Sequence, residues 1–381
     1  MKKLVAVTAL ILLWPAGGLQ AQQKESRAPN PGLSAFNPEI GVVVDVIGRL
    51  SEAEPEDPFG ADEGIDRFSF REAELVFGAF VDPYTRADIA FVFSDSEDAE
   101  IEEAYISFLR IPGRIRARVG KFRSKIGKMN LKDLNALPTV TEPLVIQEYL
   151  GEEGLALTGA HVSRLFGVGP LALEASGEIL DGGQEALFSG VRGEPIWVGH
   201  LRGFADLTPR ANLEVGLNYV RGERHADPAF DPDCDTTLLP GCDTIVLRHA
   251  EIEGVDLSYR WKRTTASAVA VTAEAYRVDR HRQTGDPSAP RVQGGFLHAD
   301  VRFAPRWSAG ARYDRVEPLA QDSTLPHDDR AGYAVYTTNH LSEFSLIRLQ
   351  YQRTREPDGF RNDEFFVQFR AQIGVDRHGL Q

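Results

Sequence analysis

The feature that most constrains the fold of this chain is a two-residue hydrophobic period, which recurs in segment after segment of about ten residues. A clear example is the run Val255-Asp256-Leu257-Ser258-Tyr259-Arg260-Trp261. The same alternation appears at 297–303 and at 365–373. This period predicts β-strands with one apolar and one polar face. After Ala21 no apolar run reaches the length of about 20 residues that a membrane-spanning helix needs.

The links between these segments alternate between short and long. Short links are predicted at 82–84, 111–113, 167–170, 208–210, 262–264, 304–306 and 341–343. Long polar links are predicted at about 50–66, 94–100, 121–153, 181–195, 222–248, 279–292, 316–330 and 354–363. Together they join 16 strands, with both chain ends on one side.

An even strand number with short turns on one side and long loops on the other is typical of outer-membrane barrels. We therefore predict an all-β fold, a closed antiparallel transmembrane β-barrel of about 16 strands. A soluble barrel or sandwich is the alternative. Aromatic residues at the strand ends favour the membrane form, as interfacial girdles: Tyr219, Tyr259, Trp261, Phe303, Trp307, Tyr313, Tyr351 and Phe365.

The N-terminus has the pattern of a secretory signal, because Lys2 and Lys3 precede an apolar run and a small-residue stretch. We predict cleavage after Ala21, which would change the formal charge from −14 to −16 by removing two lysines. An uncleaved anchor helix is the alternative. The predicted organisation is a signal peptide at 1–21, a polar spacer at 22–38, the barrel at 39–375 and a C-terminal tail at 376–381.

Four motifs resemble the outer-membrane porins of the phosphate-selective (O and P) type. They are Phe70-Arg71-Glu72-Ala73-Glu74-Leu75, Glu102-Glu103-Ala104-Tyr105-Ile106, Val119-Gly120-Lys121-Phe122-Arg123 and Leu150-Gly151-Glu152-Glu153-Gly154. The resemblance implies a porin-like barrel, a third outer loop folded into the lumen, and a homotrimer. The chain departs from that family in having only the polar spacer instead of a coiled-coil-like arm, and in continuing from Ile373 to Gln381 instead of ending on an aromatic residue.

The longest link, 121–153, is the third outer loop in this count and begins with several cations. The strand before it places three arginines on the inward parity. The predicted pore-lining and constriction residues are Arg114, Arg116, Arg118, Lys121, Arg123, Lys125, Lys128, Lys132, Arg202, Arg302, Arg312, Arg348 and Arg370. The inward acids are Glu174, Glu178, Glu214, Asp256, Asp300 and Asp314.

Charged rings set ion preference in pores, so one interpretation is an anion-favouring or mixed-charge constriction. The other is that arginine and glutamate pair across the wall and rigidify it without selecting ions. The net charge of −14 favours cations, but charges beyond about 8 Å are screened at physiological ionic strength. We expect the acidic outer loops to concentrate cations at the mouth, or to bind divalent ions that bridge lipopolysaccharide.

Cys234 and Cys242 lie in the fifth outer loop and are predicted to form a disulfide, as expected for an exported chain. Calcium binding by Asp231, Asp233 and Asp235 is one alternative, although Thr236 and Cys242 depart from the calcium-loop pattern. Zinc binding by the two cysteines with His225 and His249 is another. Neither alternative is preferred, and no cofactor is predicted.

The predicted function is a porin of the bacterial outer membrane that passes small hydrophilic solutes passively and leans towards anions, phosphate-like ones included. The expected partners are membrane lipid, lipopolysaccharide, the solutes and two further copies of the chain, with no nucleic acid. The main alternative is a ligand-binding receptor or adhesin with a plugged lumen. An enzyme is not expected, since the sequence has no nucleophile elbow and no His-Glu-x-x-His motif.

Overall fold

The structure, a computed structural model, describes residues 38–51, 67–95, 99–151, 154–183, 186–188, 194–225, 247–280, 291–319 and 329–374. The predicted signal peptide, nearly all of the spacer and the C-terminal tail lie outside these residues. The loop with Cys234 and Cys242 also lies outside them, so the disulfide stays a prediction.

Sixteen β-strands form a closed antiparallel barrel in which each strand pairs with its neighbours in sequence. The closing pair is β16 with β1, in a register from Gly41 opposite Gly374 to Ser51 opposite Glu364. The predicted fold class and strand number are confirmed. The strands are β1 Glu39–Ser51, β2 Arg67–Phe80, β3 Thr85–Phe93, β4 Glu100–Ile111, β5 Ile115–Arg123, β6 Ala156–Val168, β7 Leu171–Leu180, β8 Ile196–Thr208, β9 Ala211–His225, β10 Leu247–Lys262, β11 Ala268–Arg280, β12 Arg291–Ala304, β13 Trp307–Val316, β14 Arg330–His340, β15 Ser345–Arg355 and β16 Arg361–Gly374.

Short and long connections separate the two ends of the barrel. Seven short turns, such as the one between β2 and β3, lie at what we call the turn end, and eight longer links lie at the loop end. In the β2–β3 turn, Asp82 Oδ1 accepts hydrogen bonds from the backbone N–H groups of Tyr84 and Thr85, both at 2.7 Å. The Tyr84 donor, followed by Thr85, holds the pKa of Asp82 below its usual range.

The outer face of the wall carries large apolar side chains that are open to the surroundings. Leu217 is 56% exposed, Leu297 is 52% exposed and Tyr313 is 54% exposed. Outward aromatic residues at or near strand ends include Trp261, Phe303, Trp307 and Phe365. Water-soluble monomers rarely expose so much contiguous apolar surface, whereas transmembrane barrels carry an apolar band flanked by aromatic residues.

The helical structure among the described residues lies in the β5–β6 link. It consists of a 3-10 turn at Leu134–Ala136 and a short helix, α1, at Leu144–Leu150. Gly151 has φ 92°, a backbone conformation that favours glycine, and it ends α1. In the described part of the chain, no helix has both the length and the apolar character to cross a membrane.

The described part of the β5–β6 link, residues 124–151 and 154–155, folds into the lumen, and we call it loop three. No side chain between 121 and 151 is exposed. Its polar groups bond to inward side chains of distant strands, for example Val140 N–H to Gln350 Oε1 on β15 at 2.7 Å. The α1 helix packs against β12, β13 and β14. Loop three thus forms a layer across the inside of the barrel.

Towards the loop end of the barrel the outer face of the wall becomes polar and the inner face becomes apolar. On β10 the outward residues run from apolar Leu257 and Val255 to acidic Glu253, whereas the inward residues run from Asp256 to fully buried Ile252. The strands β11 and β12 repeat this exchange. The wall therefore faces hydrocarbon along its middle. At the loop end it faces water outside and an apolar core inside.

Candidate functional site

Arg312 on β13 is the most heavily bonded link between the wall and loop three. Its guanidinium donates to Asp314 Oδ2 at 2.7 Å, to Thr139 Oγ1 at 2.5 Å and to the backbone oxygen of Glu142 at 2.8 Å. It also bonds to the Thr141 backbone oxygen. Arg312 is 3% exposed. The predicted pore-lining residue therefore holds the loop in place, with its donors already occupied.

Lys125 and Lys128 of loop three form ion pairs with acidic side chains of the wall. Lys125 Nζ donates to Glu174 on β7, and Lys128 Nζ donates to Glu214 on β9. Arg202 on β8 shares Glu214, with Nε 2.9 Å from Oε1. The second interpretation of the sequence expected pairs of arginine and glutamate across the wall, and of these pairs only Arg202 with Glu214 is of that kind. The lysines neutralise the two acids and leave little free charge of their own.

Lys132 lies deeper in loop three. Burial lowers the pKa of the Lys132 ammonium below its usual range, and the nearby Lys128 cation acts in the same direction. On the adjoining wall, Arg348 Nη1 donates to the Leu137 backbone oxygen at 3.1 Å and Arg370 Nη1 donates to the Asn135 backbone oxygen at 2.9 Å. These two predicted arginines also bind the loop.

A second group of predicted cations lies between loop three and the turn end. Arg116 and Arg118 on β5 face inward, because they pair laterally with the buried inward residues Ser163 and His161. The Arg118 guanidinium lies 4.1 Å from the centroid of the Tyr105 ring. Arg302 on β12 is inward and exposed, on the parity of buried His298.

Arg260 belongs to the same group, although it was counted in the sequence only as a polar strand residue. It is exposed and lies on the parity of buried Asp256. Its period-two position on β10 was the signal that would have identified it. We call Arg116, Arg118, Arg260 and Arg302 the turn-end arginines. Among the described residues, none of the four has an acidic side chain within ion-pair distance.

Two predicted pore residues lie elsewhere. Lys121 is the antepenultimate residue of β5 and pairs laterally with Ala104 and Thr158 on the outer face. Its Nζ donates to the Ile101 backbone oxygen at 2.7 Å, so it is not part of the constriction. Arg114 lies in the β4–β5 turn with φ 60° and is exposed, because β5 begins one residue later.

Arg123 is buried where loop three leaves the wall. Its Nε donates to Asp133 Oδ1 at 2.6 Å, and its Nη2 donates to Glu102. At 5% exposure this cation is enclosed by acids and is not presented to solvent. The pairing joins the start of loop three, its middle and strand β4.

An apolar cluster lies inside the barrel towards the loop end. Loop three contributes Val145 and Ile146 of α1, and the β7–β8 link contributes Phe188. The wall contributes residues of eight strands: Phe122, Leu180, Ile196, Val198, Val220, Ala250, Ile252, Tyr276, Val278, Val292, Phe296 and Val316. The sequence prediction missed this cluster, because it assigned apolar residues to the lipid face. The signal was the change of parity at the loop-end portions of β10 to β12.

The comparisons with known proteins support the same fold. No protein-family model matches the sequence. A curated "Uncharacterized protein" of Aquifex aeolicus (strain VF5) is 29% identical over 341 residues, which cover 81% of this chain and 69% of that protein.

Among solved structures, Pseudomonas putida OprB is similar with a TM-score of 0.59 and 12% identity, over 89% of this chain and 94% of OprB. The outer membrane channel DcaP of Acinetobacter baumannii has a TM-score of 0.54 and 13% identity, over 90% and 98% of the two chains. OmpT, an outer membrane protein of Vibrio cholerae in its trimer form, has a TM-score of 0.55 and 11% identity, over 88% and 99%. The chain has the fold of outer-membrane porins.

Proposed function

We propose that the protein is a porin-like channel of the bacterial outer membrane that lets small hydrophilic solutes diffuse passively, with a preference for anions. The closed barrel with its apolar outer belt supports the membrane location. The likeness to DcaP, described as an outer membrane channel, supports conduction. The loop end, with the long links, would face outward, and the turn end would face the periplasm.

The anion preference is supported by the different pairing of two groups of cations, those of loop three and the turn-end arginines. Lys125 and Lys128 of loop three are neutralised by Glu174 and Glu214. Arg116, Arg260 and Arg302 are exposed to the lumen, with no acidic side chain within ion-pair distance among the described residues, whereas Arg118 interacts electrostatically with Glu103. A permeant ion feels mainly the charges within about 8 Å, so guanidinium groups in the lumen that lack an ion-pair partner favour anions.

Charge reversal of two turn-end arginines tests this preference. In planar bilayers under a salt gradient, the double variant Arg116→Glu/Arg118→Glu should shift the reversal potential towards cation preference. The matched control is Arg164→Glu, on the neighbouring strand, whose side chain is exposed on the outer face at a position opposite Ile115. The control should leave the reversal potential unchanged. An equal shift in both variants would refute a lumen-specific role.

A second function, a ligand-binding receptor with a plugged lumen, is favoured by the way loop three is held. It bonds to inward side chains on opposite sides of the barrel, among them Asn218 on β9 and Gln350 on β15. Single-channel recording separates the two functions. A channel gives current steps with salt alone, whereas a plugged receptor gives none until loop three is displaced.

Three further statements belong to the proposal. The protein assembles as a homotrimer, as the trimer form of the similar Vibrio cholerae OmpT suggests, and the mass of the purified complex in detergent would test this. It is exported with cleavage after Ala21, which the N-terminal mass of the mature chain would test. It catalyses no covalent reaction, and the solutes it takes, phosphate-like anions included, cross unchanged.

A further inference from the structure

Where strands β2 and β4 meet loop three, acidic side chains outnumber the cations that could balance them. Six carboxyl groups lie there: Asp45, Glu72, Glu74, Glu102, Glu103 and Asp133. Three guanidinium groups accompany them, those of Arg71, Arg123 and Arg118. Five of the six acids are buried. Buried carboxylates are costly unless they are paired, hydrogen-bonded or bound to a cation.

Two irregularities in the wall bring these charged groups together. The register of β1 with β2 shifts at Asp45/Val46, and that of β3 with β4 shifts at Ala90/Phe91. Each shift inserts one extra residue, so that neighbouring charged residues, Arg71 with Glu72 and Glu102 with Glu103, both turn towards the lumen. Such bulges re-aim side chains and often lie next to functional sites.

Three of these acids converge on one point. The carboxylate oxygens of Glu74, Glu102 and Asp133 lie within 4.8 Å of one another. Asn135 adjoins them, since its Nδ2 donates to Glu74 Oε2 at 2.7 Å. Glu72 lies beside the group, because it bonds to Asn135 and interacts electrostatically with Asp133. We call these five residues the acidic cluster.

A separate observation concerns two further oxygens of the acidic cluster. Glu72 is 5% exposed and Asn135 is 2% exposed. Glu72 Oε1 and Asn135 Oδ1 are buried acceptors that no donor reaches in the described part of the chain. Buried polar atoms are normally satisfied. A bound cation would satisfy these acceptor oxygens, because it can be coordinated by them together with the neighbouring carboxylates.

We propose that the acidic cluster binds one calcium ion, which fastens loop three to strands β2 and β4. The available ligands are all oxygens: the converging carboxylates of Glu74, Glu102 and Asp133, with the Glu72 carboxylate and the Asn135 amide oxygen beside them. This is the donor set of calcium. Magnesium demands a stricter octahedron and retains its water more firmly, so it fits a cluster of protein oxygens less well. Glu102, whose side chain is 12% exposed, gives the ion its contact with the lumen.

Calorimetry on the full-length protein, refolded in detergent and stripped with a chelator, tests this site with calcium chloride as the probe. The wild type should bind calcium, more tightly than magnesium, and its thermal midpoint should rise with calcium. Glu74→Gln and Glu72→Gln, tested separately, should each weaken binding at least tenfold. Both changes keep side-chain size, and the glutamine that replaces Glu74 can still accept the Asn135 hydrogen bond.

The matched control is Asp279→Asn, which removes an acid from the ion pair with Arg291 on the outer surface. It should bind calcium as the wild type does. No binding by the folded wild type would overturn the proposal, and it would mean that the cluster holds protons instead. Undiminished binding in a folded Glu74→Gln or Glu72→Gln variant would overturn it too. Calorimetry does not depend on ion conduction, so the result stands apart from the channel assay.

Discussion

Replacement of Arg312 by methionine should release the central part of loop three from the wall without opening the barrel. The guanidinium bonds to Asp314 on its own strand and to Thr139, Thr141 and Glu142 of the loop. Arg312 and Asp314 have side-chain exposures of 1% and 2%. Methionine fills a similar volume but removes every donor, which leaves the buried Asp314 carboxylate without its cation and the loop carbonyl groups of Thr141 and Glu142 without this donor.

Removing one partner of a buried ion pair typically costs about 3–5 kcal/mol. Some of this loss falls on the barrel, but the loop loses most, because three of the four bonded residues belong to it. If loop undocking carries the whole cost, the undocking constant rises by roughly 100-fold to 4,000-fold, at about 1.4 kcal/mol per factor of ten.

Hydrogen exchange of backbone amides measures this change in the folded protein. The reporters are the amides of Val140, bonded to Gln350, and Leu144, bonded to Asp314 at 3.3 Å. Their exchange should accelerate by the factor above, while strand amides on the far side of the barrel keep their rates. Arg330→Met serves as the control. It breaks a partly exposed ion pair with Glu356, and the loss of such a pair costs about 0–1 kcal/mol. Unchanged exchange at 140 and 144 in Arg312→Met would refute the argument.

Three other perturbations follow from the structure. Gly120 has φ +130° and an added Cβ would lie 2.1 Å from the Ala104 backbone oxygen, so Gly120→Ala should lower the refolding yield, whereas Gly199→Ala, with open space around it, should not. Ile146→Ala in the apolar cluster should cost about 2–5 kcal/mol of loop docking, measurable by the same exchange experiment. Asp82 has a lowered pKa, so its contribution is present above its unfolded pKa of about 3.9 and is lost as the pH falls from there through the lower pKa of the folded state; Asp82→Ala should flatten that part of the pH dependence of the thermal midpoint.

The strands were predictable because alternation is a local property of the chain. In runs such as 255–261 the alternation indicates which side chains share a face, and the order of short and long links predicts the number of strands. The same parity placed Arg116 and Arg118 on the inner face, as the structure has them. The predicted boundaries of β5 were wrong for Lys121 and Arg114. The loop was predicted to begin at Lys121, which lies within β5, and β5 was predicted to include Arg114, which lies in the preceding turn.

The partners in the candidate site were not predictable from one sequence. Lys125 bonds to a residue 49 positions away, and Lys128 bonds to one 86 positions away. No local pattern reports such a pairing, so the choice between free and neutralised cations stayed open. The bulges at Arg71 and Glu102 were not predicted either. One extra residue reverses which side chains of a strand face inward, and in a single sequence this looks like an ordinary irregularity of the two-residue period.

Near the loop end the outward side chains change from apolar to polar, and this change marks the edge of the hydrocarbon layer. The position of that edge can be measured on one strand. Leu297 and Gln293 on β12 both face outward, four residues or about 13 Å apart. Arginine at 297 should destabilise the barrel by about 2–4 kcal/mol, because it must enter hydrocarbon.

Arginine at 293 should cost no more than about 1 kcal/mol, because it lies in water near the interface. It can also pair with Glu317, because the Gln293 side-chain Nε2 already donates to Glu317 Oε1 at 3.3 Å. Equilibrium unfolding of Leu297→Arg and Gln293→Arg from lipid vesicles gives both values in one assay. Equal penalties would place both positions at the same depth. The apolar residues inside the loop end would then lie within the membrane span, and the wall there would have to tolerate charged residues against lipid.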